Sequence, residues 1–425
     1  MTTQTRPARA DAAKPRRAVA GNGLLIVGCP GPSRRAMFDA ALERGLRLFT
    51  VKGGATWEHE LCEEVIDLTP SNYDDLQEIV NATLAMAERH AIDGIITPFD
   101  AAVPVMSAVG TALGLRVIDP HTALVVRDKS RCRERFAELR LPSARSVRVD
   151  SEAGALRAAA EIGLPVVIKP TVGTGSVGVT RASTVDEVAT AYATAMRVAS
   201  SMYHATEVVV EEFLVGAEIS VESVSFEGEV LFESVTDKPQ PMTGPFFAEV
   251  EFMSPSHLPP QLLEQVYALN RRTLAGLGLT HGVHHTEMRL TTRGPVLLEV
   301  NPRVAGQRVP HIVQQAMGID LMGAAIDVAM GVAPDLRPRQ GWYAGYRCLY
   351  PSRAGVLRDV TGLDAAREVP GIYAVEVVAQ PGTRLKTLPE AIQENVGYVF
   401  GHGESYDRAR DATARAERLV RLEVD

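Results

Sequence analysis

Two carboxylates and an amide in the second half of the chain have the residue types and spacing of a magnesium site. They lie in HTEMRLTTRGPVLLEVNPR (285–303), whose polar centre is typical of a hairpin turn. With the turn centred near Arg293, Glu287 is predicted to pair with Glu299. Asn301 should face the same side as Glu299, because alternate strand residues share a face. Like charges this close need a cation between them, and hard oxygen ligands suit Mg²⁺.

An arginine follows this group directly. Arg303 lies two residues after Asn301, where its guanidinium could meet the charge that develops on a phosphoryl group. The alternative is a solvated strand of alternating charges. The neighbouring run PVLLEV is too apolar for such a strand, which favours the interpretation as a site.

A second stretch, KPTVGTGSVGVT (169–180), contains glycines in the spacing G-x-G-x-x-G. A Walker A loop is excluded, because Val179 stands where its lysine belongs. A dinucleotide-binding loop must open a helix, but the alternating VGVTRAS that follows predicts a strand. A kinase loop is excluded because Lys169 precedes the glycines and the chain has no H-R-D or D-F-G. A glycine hairpin after a lysine can fold over phosphates, although a hairpin may also hold glycines for purely structural reasons.

The elements that must position these residues fall into two types. Strand-like and helical runs alternate over residues 23–119, including LRVID (115–119), and predict a small parallel α/β unit without a dinucleotide site. After residue 142 the strands alternate or are apolar and are joined by turns such as FEGEV, which predicts antiparallel α+β structure. The predicted helices cover residues 34–44, 73–90, 184–199, 260–276, 311–330 and 404–422.

Composition narrows the function classes. The chain has 425 residues, 46% of them hydrophobic, and a net charge of −8, which argues against a general nucleic-acid binder. No apolar run approaches the ~20 residues of a membrane span. Scattered cysteines without a C-x-x-C pair predict a reducing cytoplasm; they are Cys29, Cys62, Cys132 and Cys348.

The N-terminal stretch is basic, rich in alanine and without periodicity. Residues 1–22 are predicted to be a disordered tail. A transit peptide or a twin-arginine signal at Arg16 and Arg17 is the alternative. The run GLLIVG that follows is too short for a signal sequence and reads as the first strand.

Taken in order, these motifs resemble the ATP-grasp enzymes over roughly residues 23–425, and within them the L-amino acid ligases of the biotin-carboxylase-like branch. The resemblance implies two Mg²⁺ ions, or Mn²⁺, on Glu287, Glu299 and Asn301, with Arg303 as the catalytic arginine. It implies that the backbone of residues 211–214 holds adenine and that Glu218 holds the ribose. The implied ATP-binding residues are Lys129, Lys169, Gly173, Thr174, Gly175, Ser176, Gly178, Glu211, Glu212, Phe213, Leu214 and Glu218.

Substrate residues are implied by the same resemblance. Near VTDKPQPMTGPFFAEVEFMSPSHLP, Glu251 would receive the amino group of a substrate. Gln307 and Arg308 stand where relatives often have small or apolar residues, which points to a larger or acidic second substrate. The cluster His281, His284, His285 could suggest zinc. Neighbouring strand residues face opposite sides, however, so the favoured interpretation is that His285 alone lines the substrate pocket.

The predicted architecture is a multidomain α/β and α+β chain in which a Rossmann-like N-terminal domain precedes an ATP-grasp fold. The predicted parts are the tail at 1–22, the N-terminal domain at 23–125, the small lobe at 126–213, the large lobe at 214–335 and a C-terminal subdomain at 336–425.

The predicted reaction joins a carboxylate, activated by ATP as an acyl-phosphate, to an amine, with ADP and phosphate as the other products. The expected partners are therefore small molecules, with no nucleic acid or membrane, and a homodimer is compatible. Two alternatives stay open. One is another ATP-grasp reaction, of the purine-biosynthetic or biotin-carboxylase type, and the other is a nucleotide-binding module without catalysis.

Overall fold

A computed structural model of the chain describes residues 21–28, 35–54, 56–67, 76–239, 245–388, 390–392 and 394–425. The predictions for residues 1–20 and for Cys29 lie outside these ranges.

The N-terminal unit is a four-stranded parallel sheet in the order β3-β2-β1-β4, as the alternating pattern predicted. All five residues of its central strand, GLLIV, are buried, which fits a parallel strand covered on both faces. Its elements are β1 (Gly23–Val27), α1 (Arg35–Leu42), β2 (Arg47–Lys52), β3 (Glu64–Asp67), α2 (Leu76–Ala87), β4 (Gly94–Ile96), α3 (Val103–Ala112) and α4 (Pro120–Arg127).

The strand predicted at residues 115–119 is absent from this sheet, and the prediction is wrong. The backbone there is irregular between α3 and α4. Ser107 donates its hydroxyl to the carbonyl of Ile118, and the Asp119 carboxylate accepts the N–H of Thr122, 2.9 Å away, as the N-cap of α4. These contacts turn the chain into a helix instead of a ladder.

The second unit is an antiparallel sheet in the order β5-β8-β6-β7, covered by two alanine-rich helices. The glycine stretch is the loop between β6 and β7, so the predicted strand–loop–strand arrangement is confirmed. The elements are α5 (Lys129–Glu138), β5 (Ser146–Val149), α6 (Glu152–Ile162), β6 (Val166–Pro170), β7 (Thr180–Ala182), α7 (Val185–Tyr203) and β8 (Val208–Glu212).

The third unit is built on an eight-stranded sheet in the order β13-β12-β9-β10-β11-β14-β18-β16. Its first elements are β9 (Ala217–Phe226), β10 (Glu229–Lys238), β11 (Glu251–Ser254), α8 (Pro260–Leu277), β12 (Gly282–Thr291), β13 (Gly294–Asn301), α9 (Val309–Met317), α10 (Leu321–Ala329) and β14 (Tyr343–Leu349). The predicted helix over 311–330 is two helices. Gly318, at φ +72°, ends α9 in the left-handed conformation, and the Asp320 side chain caps α10.

The C-terminal segment supplies the last two strands of that sheet and a small sheet in the order β17-β15-β19. Its elements are β15 (Gly355–Thr361), α11 (Leu363–Arg367), β16 (Ile372–Val377), β17 (Arg384–Leu385), β18 (Gly397–Gly403), α12 (Tyr406–Glu417) and β19 (Arg421–Val424). The predicted helix over 404–422 therefore ends too late. Residues 421–424 alternate with period two and pair with β15.

Hydrophobic cores lie on both faces of the large sheet and connect it to the N-terminal unit. One core joins α8 to residues of β9, β12 and β13, and the other places α9 and α10 against the opposite face. Among the described residues no single helix is long and apolar enough to cross a bilayer. Only α9 and α10 taken together reach that length, and they bend by 102° at their break.

Candidate active site

A cavity of about 430 Å³ lies between the four-stranded antiparallel sheet and the eight-stranded sheet, and we call it the cleft. Most of the residues singled out in the sequence line it, although they come from elements far apart in the chain. They are Lys129, Lys169, Gly173, Thr174, Gly175, Ser176, Glu211, Glu212, Phe213, Leu214, Glu218, His285, Glu287, Glu299, Asn301, Arg303 and Gln307.

The hairpin that carries the predicted metal ligands Glu287, Glu299 and Asn301 is β12–β13, and we call it the metal-type hairpin. Glu287 pairs with Glu299 in its register, which confirms the predicted pairing. The reason differs in part from the one predicted. The turn spans Thr291 to Gly294, so a regular ladder would pair Glu287 with Leu298 instead. A bulge at this point in the ladder restores the opposition of the two glutamates.

The carboxylates of this hairpin are balanced by buried cations. Glu287 lies 2.9 Å from Lys238 Nζ and 3.2 Å from His285 Nε2. On its other side, His285 Nδ1 lies 2.8 Å from the fully buried carboxylate of Glu222. Burial opposes protonation of His285, but Glu222 and Glu287 outweigh it and raise its pKa to about 10.

Lys238, at the end of β10, was not predicted from the sequence. Besides Glu287 it contacts Glu218 at 2.9 Å and also Glu249. Burial of the ammonium is outweighed by Glu218, Glu249 and Glu287, so its pKa lies well above the usual value. The three glutamates could hold a metal ion by their mutual distances, but the ammonium of Lys238 lies against all three.

The two lysines predicted to contact phosphate are both in the cleft. Lys129 is the first residue of α5, capped by Asp128, and its Nζ lies 3.5 Å from Glu299. Lys169, at the end of β6, lies 2.7 Å from Glu211. Lys129 was implied by the resemblance to ATP-grasp enzymes, and Lys169 also stood out because it directly precedes the glycine stretch.

Arg133 also supports this site and was not predicted. It is buried, with Nε 3.0 Å from Glu211 and Nη2 donating to the carbonyl of Leu298 at 2.7 Å. Burial would raise the pKa of Glu211, but Arg133 and Lys169 outweigh it, and the pKa is lowered. Arg133 thereby links Glu211 on β8 to the backbone of β13.

The loop between β6 and β7 is closed down on the cleft. The Gly173 carbonyl accepts hydrogen bonds from Arg127 at 3.0 Å and Lys129 at 3.2 Å. The Thr174 hydroxyl donates to Asp100 at 2.9 Å. Gly178 does not line the cleft. Its φ is +77°, and a Cβ added there would lie only 3.0 Å from Val198, so glycine is required at this position for structure.

Arg303 lies at the end of the metal-type hairpin and forms an ion pair with Asp100. Its Nη1 also donates to the Val304 carbonyl at 2.9 Å. Asp100 was not predicted as a site residue. The available signal was its position after a parallel strand, where the carboxyl ends of such sheets place ligand-binding groups.

The structure corrects two of the predicted substrate residues. Glu251 is 1% exposed and does not line the cleft, because Arg347 at 2.6 Å and Arg410 at 2.9 Å enclose it. Glu249 lines the cleft instead. Arg308 turns away to Glu376 at 2.7 Å and lies over the Tyr398 ring, so of that pair only Gln307 reaches the cleft.

The neighbouring histidines face opposite sides of β12, as predicted. His285 lines the cleft. His284 is 1% exposed, and neither of its ring nitrogens has a hydrogen-bond partner among the described residues. Burial lowers its pKa to about 3.

The donor set suits a magnesium nucleotide. Glu287, Glu299 and Asn301 offer hard oxygen ligands on one wall of the cleft. Lys129 lies beside Glu299 and Lys238 beside Glu287, so both carboxylates already have a cation as partner. The three oxygen ligands would hold the metal, and Lys129, Lys169 and the closed loop lie where phosphates would be held.

Comparison with known proteins agrees with this geometry. Residues 162–311 match the family model of the ATP-grasp domain, and residues 347–425 match L-amino acid ligase C-terminal domain 2. The fold is that of the L-amino acid ligase from Bacillus licheniformis, with a TM-score of 0.81 and 21% identity over 96% of this chain and 100% of that one. Together these findings show that the chain has the ATP-grasp fold.

More narrowly, the chain matches both an ATP-grasp domain and an L-amino acid ligase C-terminal domain. It is 29% identical to carnosine synthase 1 of Homo sapiens over 77% of this chain and 42% of that protein. It is 28% identical to alanine–anticapsin ligase of Bacillus amyloliquefaciens over 59% of this chain and 57% of that protein. The chain thus spans about half the length of the curated relatives it matches.

Proposed function

We propose that the protein is an ATP-dependent ligase that joins the carboxylate of one amino acid to the amino group of a second substrate. The observation that carries this proposal is one cleft that gathers a metal-type pair of carboxylates, two lysines, an arginine and a closed glycine loop. Such a set serves phosphoryl transfer. The match of residues 347–425 to an L-amino acid ligase domain favours amino acids over purine precursors or biotin as substrates.

In the first step, an oxygen of the substrate carboxylate attacks the γ-phosphorus of ATP, and the β–γ bond breaks to release ADP. Lys129 and Lys169 hold the phosphates, and Arg303 balances the charge of the transferred group. Two Mg²⁺ ions on Glu287, Glu299 and Asn301, or Mn²⁺ in their place, would neutralise the phosphate oxygens.

In the second step, the amine attacks the acyl-phosphate carbon, the amide bond forms and phosphate leaves. The loop between β6 and β7 covers the cleft and would keep water from this labile intermediate. No protein nucleophile is required, because both covalent changes take place between substrates.

Two groups that line the cleft are candidates for recognising the amino acid: Glu249, which was not predicted from the sequence, and Gln307, which was. Glu249 lines the cleft and offers a carboxylate for an ammonium group, in the role that the sequence suggested for Glu251. Gln307, at φ +53°, lines the same cavity and receives the hydroxyl of Tyr398 at 3.4 Å. A polar residue there favours a second substrate with a polar side chain.

The test is a screen of paired amino acids with ATP and Mg²⁺, read as phosphate release and as new amides by mass spectrometry. At least one pair should give phosphate and an amide in equal amounts. Phosphate release that needs only one carboxylic substrate and yields no amide would contradict the ligase.

We also propose that the protein acts in the cytoplasm, since Cys132 and Cys348 are buried free thiols.

A further inference from the structure

Asp100 is the point where the N-terminal unit reaches the cleft. It lies in a short 3₁₀ helix, Asp100–Ala102, just beyond the carboxyl end of β4. Its side chain is only 10% exposed. An aspartate so buried needs strong partners to remain charged.

Both oxygens of this carboxylate are used, and by different parts of the molecule. Oδ1 pairs with Nε of Arg303, at the end of the metal-type hairpin. Oδ2 accepts the hydroxyl of Thr174, in the loop that covers the cleft, at 2.9 Å. One carboxylate therefore joins three units that are separate in the chain.

The contact with Asp100 also fixes the orientation of the Arg303 guanidinium. Its Nε is used by Asp100 and its Nη1 by the carbonyl of Val304. Within the described part of the chain no hydrogen bond uses Nη2, which is left for a substrate group. An arginine side chain has several rotatable bonds, so a partner that fixes it beforehand removes an entropic cost from the reacting complex.

We propose that Asp100 is a positioning residue that orients Arg303 and, through Thr174, couples this orientation to closure of the glycine loop. With the loop closed, the Thr174 hydroxyl holds the carboxylate in the position that grips Arg303. With the loop open, that hydrogen bond is lost and the arginine is less constrained. This inference rests on the proposed function, because it assigns Arg303 to the reaction.

Burial of Asp100 favours its neutral form, but the charge and hydrogen bond of Arg303, and then the hydrogen bond from Thr174, outweigh that effect. The pKa of Asp100 is lowered to about 2. The carboxylate is therefore ionised at neutral pH, as the ion pair with Arg303 requires.

The first experiment compares Asp100→Asn, Thr174→Val and the double variant in an assay that traps the acyl-phosphate with hydroxylamine. Asp100→Asn should lower kcat about tenfold to hundredfold with ATP affinity within about twofold, because an ordering contact is lost but no phosphate contact is. Thr174→Val should lower kcat by about three- to tenfold. The double variant should be no slower than Asp100→Asn by more than about twofold, since the threonine acts through the aspartate.

Two controls accompany these variants. Asp364→Asn changes an aspartate whose side chain is 94% exposed and should leave every rate unchanged. Asp100→Glu keeps the charge and should recover part of the activity lost in Asp100→Asn. Thr174→Val leaves the Asp100–Arg303 pair intact, so it tests the coupling even if Asp100→Asn does not fold.

The second experiment needs no ligase activity and therefore separates this inference from the proposed function. Limited proteolysis within residues 171–179, without nucleotide, should be faster in Thr174→Val and Asp100→Asn than in the wild type and Asp364→Asn. Equal cleavage would overturn the coupling. In the first experiment, a double variant whose loss of kcat equals the product of the two single losses would also overturn the coupling. A change confined to the KM of the amino acid would overturn it too, because Asp100 would then be a substrate ligand.

Discussion

Two hairpins face each other across the cleft, and they are built in opposite ways. The β12–β13 hairpin has a two-residue turn, seven paired positions and buried neighbours on both faces. The β6–β7 hairpin has only three paired positions and a nine-residue loop, 171–179, between its strands. The first is held by its own ladder and core, whereas the loop of the second is held by side chains from elsewhere, such as Asp100 and Arg127.

The two hairpins therefore suit two different functions. Ligands that must keep fixed positions, such as Glu287, Glu299 and Asn301, lie on the hairpin with the longer ladder. Groups that must let a nucleotide enter and then cover it lie on the hairpin with few pairs and three glycines, where movement is less costly. Perturbing the first should therefore remove chemistry, and perturbing the second should mainly slow it.

The largest effect is expected from Glu299→Gln. The change is nearly isosteric, but it removes a charge that would hold the metal, so turnover should fall by about a thousandfold or more. ATP binding in Mg²⁺ should weaken as well, while the thermal unfolding midpoint stays near that of the wild type. Glu229→Gln, at an exposed position of β10, is the matched control and should be fully active. Turnover within about tenfold of wild type would remove Glu299 from the site.

Arg303→Ala tests the other end of the same hairpin. We expect kcat to fall by about a hundred- to a thousandfold, as when a preorganised donor for the developing charge is lost. The affinity for ATP should change by only a fewfold, measured by equilibrium binding. If ATP affinity fell as much as kcat, Arg303 would be a ground-state ligand and not a transition-state one.

His284 tests whether this hairpin buries a neutral imidazole. Its pKa in the fold is about 3 against an ordinary 6.5, so its contribution to stability is present above pH 6.5 and is lost as the pH falls towards 3. The loss should be about 1.4 kcal/mol per pH unit, or about 2 kcal/mol at pH 5.

The measurement is the free energy of unfolding from urea titrations at pH 7 and pH 5. His284→Leu should make the difference between these two values smaller by that amount, whereas His59→Gln, at an exposed position, should leave it as in the wild type. An unchanged difference in His284→Leu would mean that His284 is not buried in its neutral form.

The smallest effect is expected in the glycine hairpin and uses a matched pair of glycines. Gly178 and Gly228 have similar positive φ angles, +77° and +84°, so an alanine is strained at either position. Only at Gly178 would the added carbon also meet Val198. Gly178→Ala should lower kcat about tenfold by hindering closure of the loop. Gly228→Ala should cost about 1 kcal/mol of stability at most and leave kcat unchanged, and equal kcat in both variants would contradict a role for loop geometry.

Local patterns predicted both hairpins, although the bulge that aligns Glu287 with Glu299 was not among the predictions. The pairing of Glu287 with Glu299 and the strand–loop–strand form of the glycine stretch depend on residues within 20 positions of one another, where turn residues and alternation carry the information. Glu251 was implied by the family resemblance, and alternation could not have corrected that prediction. Residues 249 and 251 differ by one full period, so a pattern of period two cannot choose between them, and the two arginines that enclose Glu251 come from β14 and α12.

The sequence could not predict the contacts between residues that are far apart in the chain. Asp100 and Arg303 are 203 positions apart, and Arg133 and Leu298 are 165 apart. No periodicity links such residues, because their contact depends on how the N-terminal unit, α5 and the large sheet pack together. Lys238 was missed for a similar reason, since its partners lie on β9, β12 and the segment before β11.

The central claim is that a substrate carboxylate attacks the terminal phosphate of ATP. The most direct measurement uses an amino acid labelled with ¹⁸O in both carboxylate oxygens, together with ATP, Mg²⁺ and the amine. The nucleotide product should be ADP, and one ¹⁸O atom should appear in the released phosphate while the other stays in the amide. Formation of AMP and pyrophosphate, or phosphate free of ¹⁸O alongside a labelled amide, would contradict an acyl-phosphate mechanism for this protein.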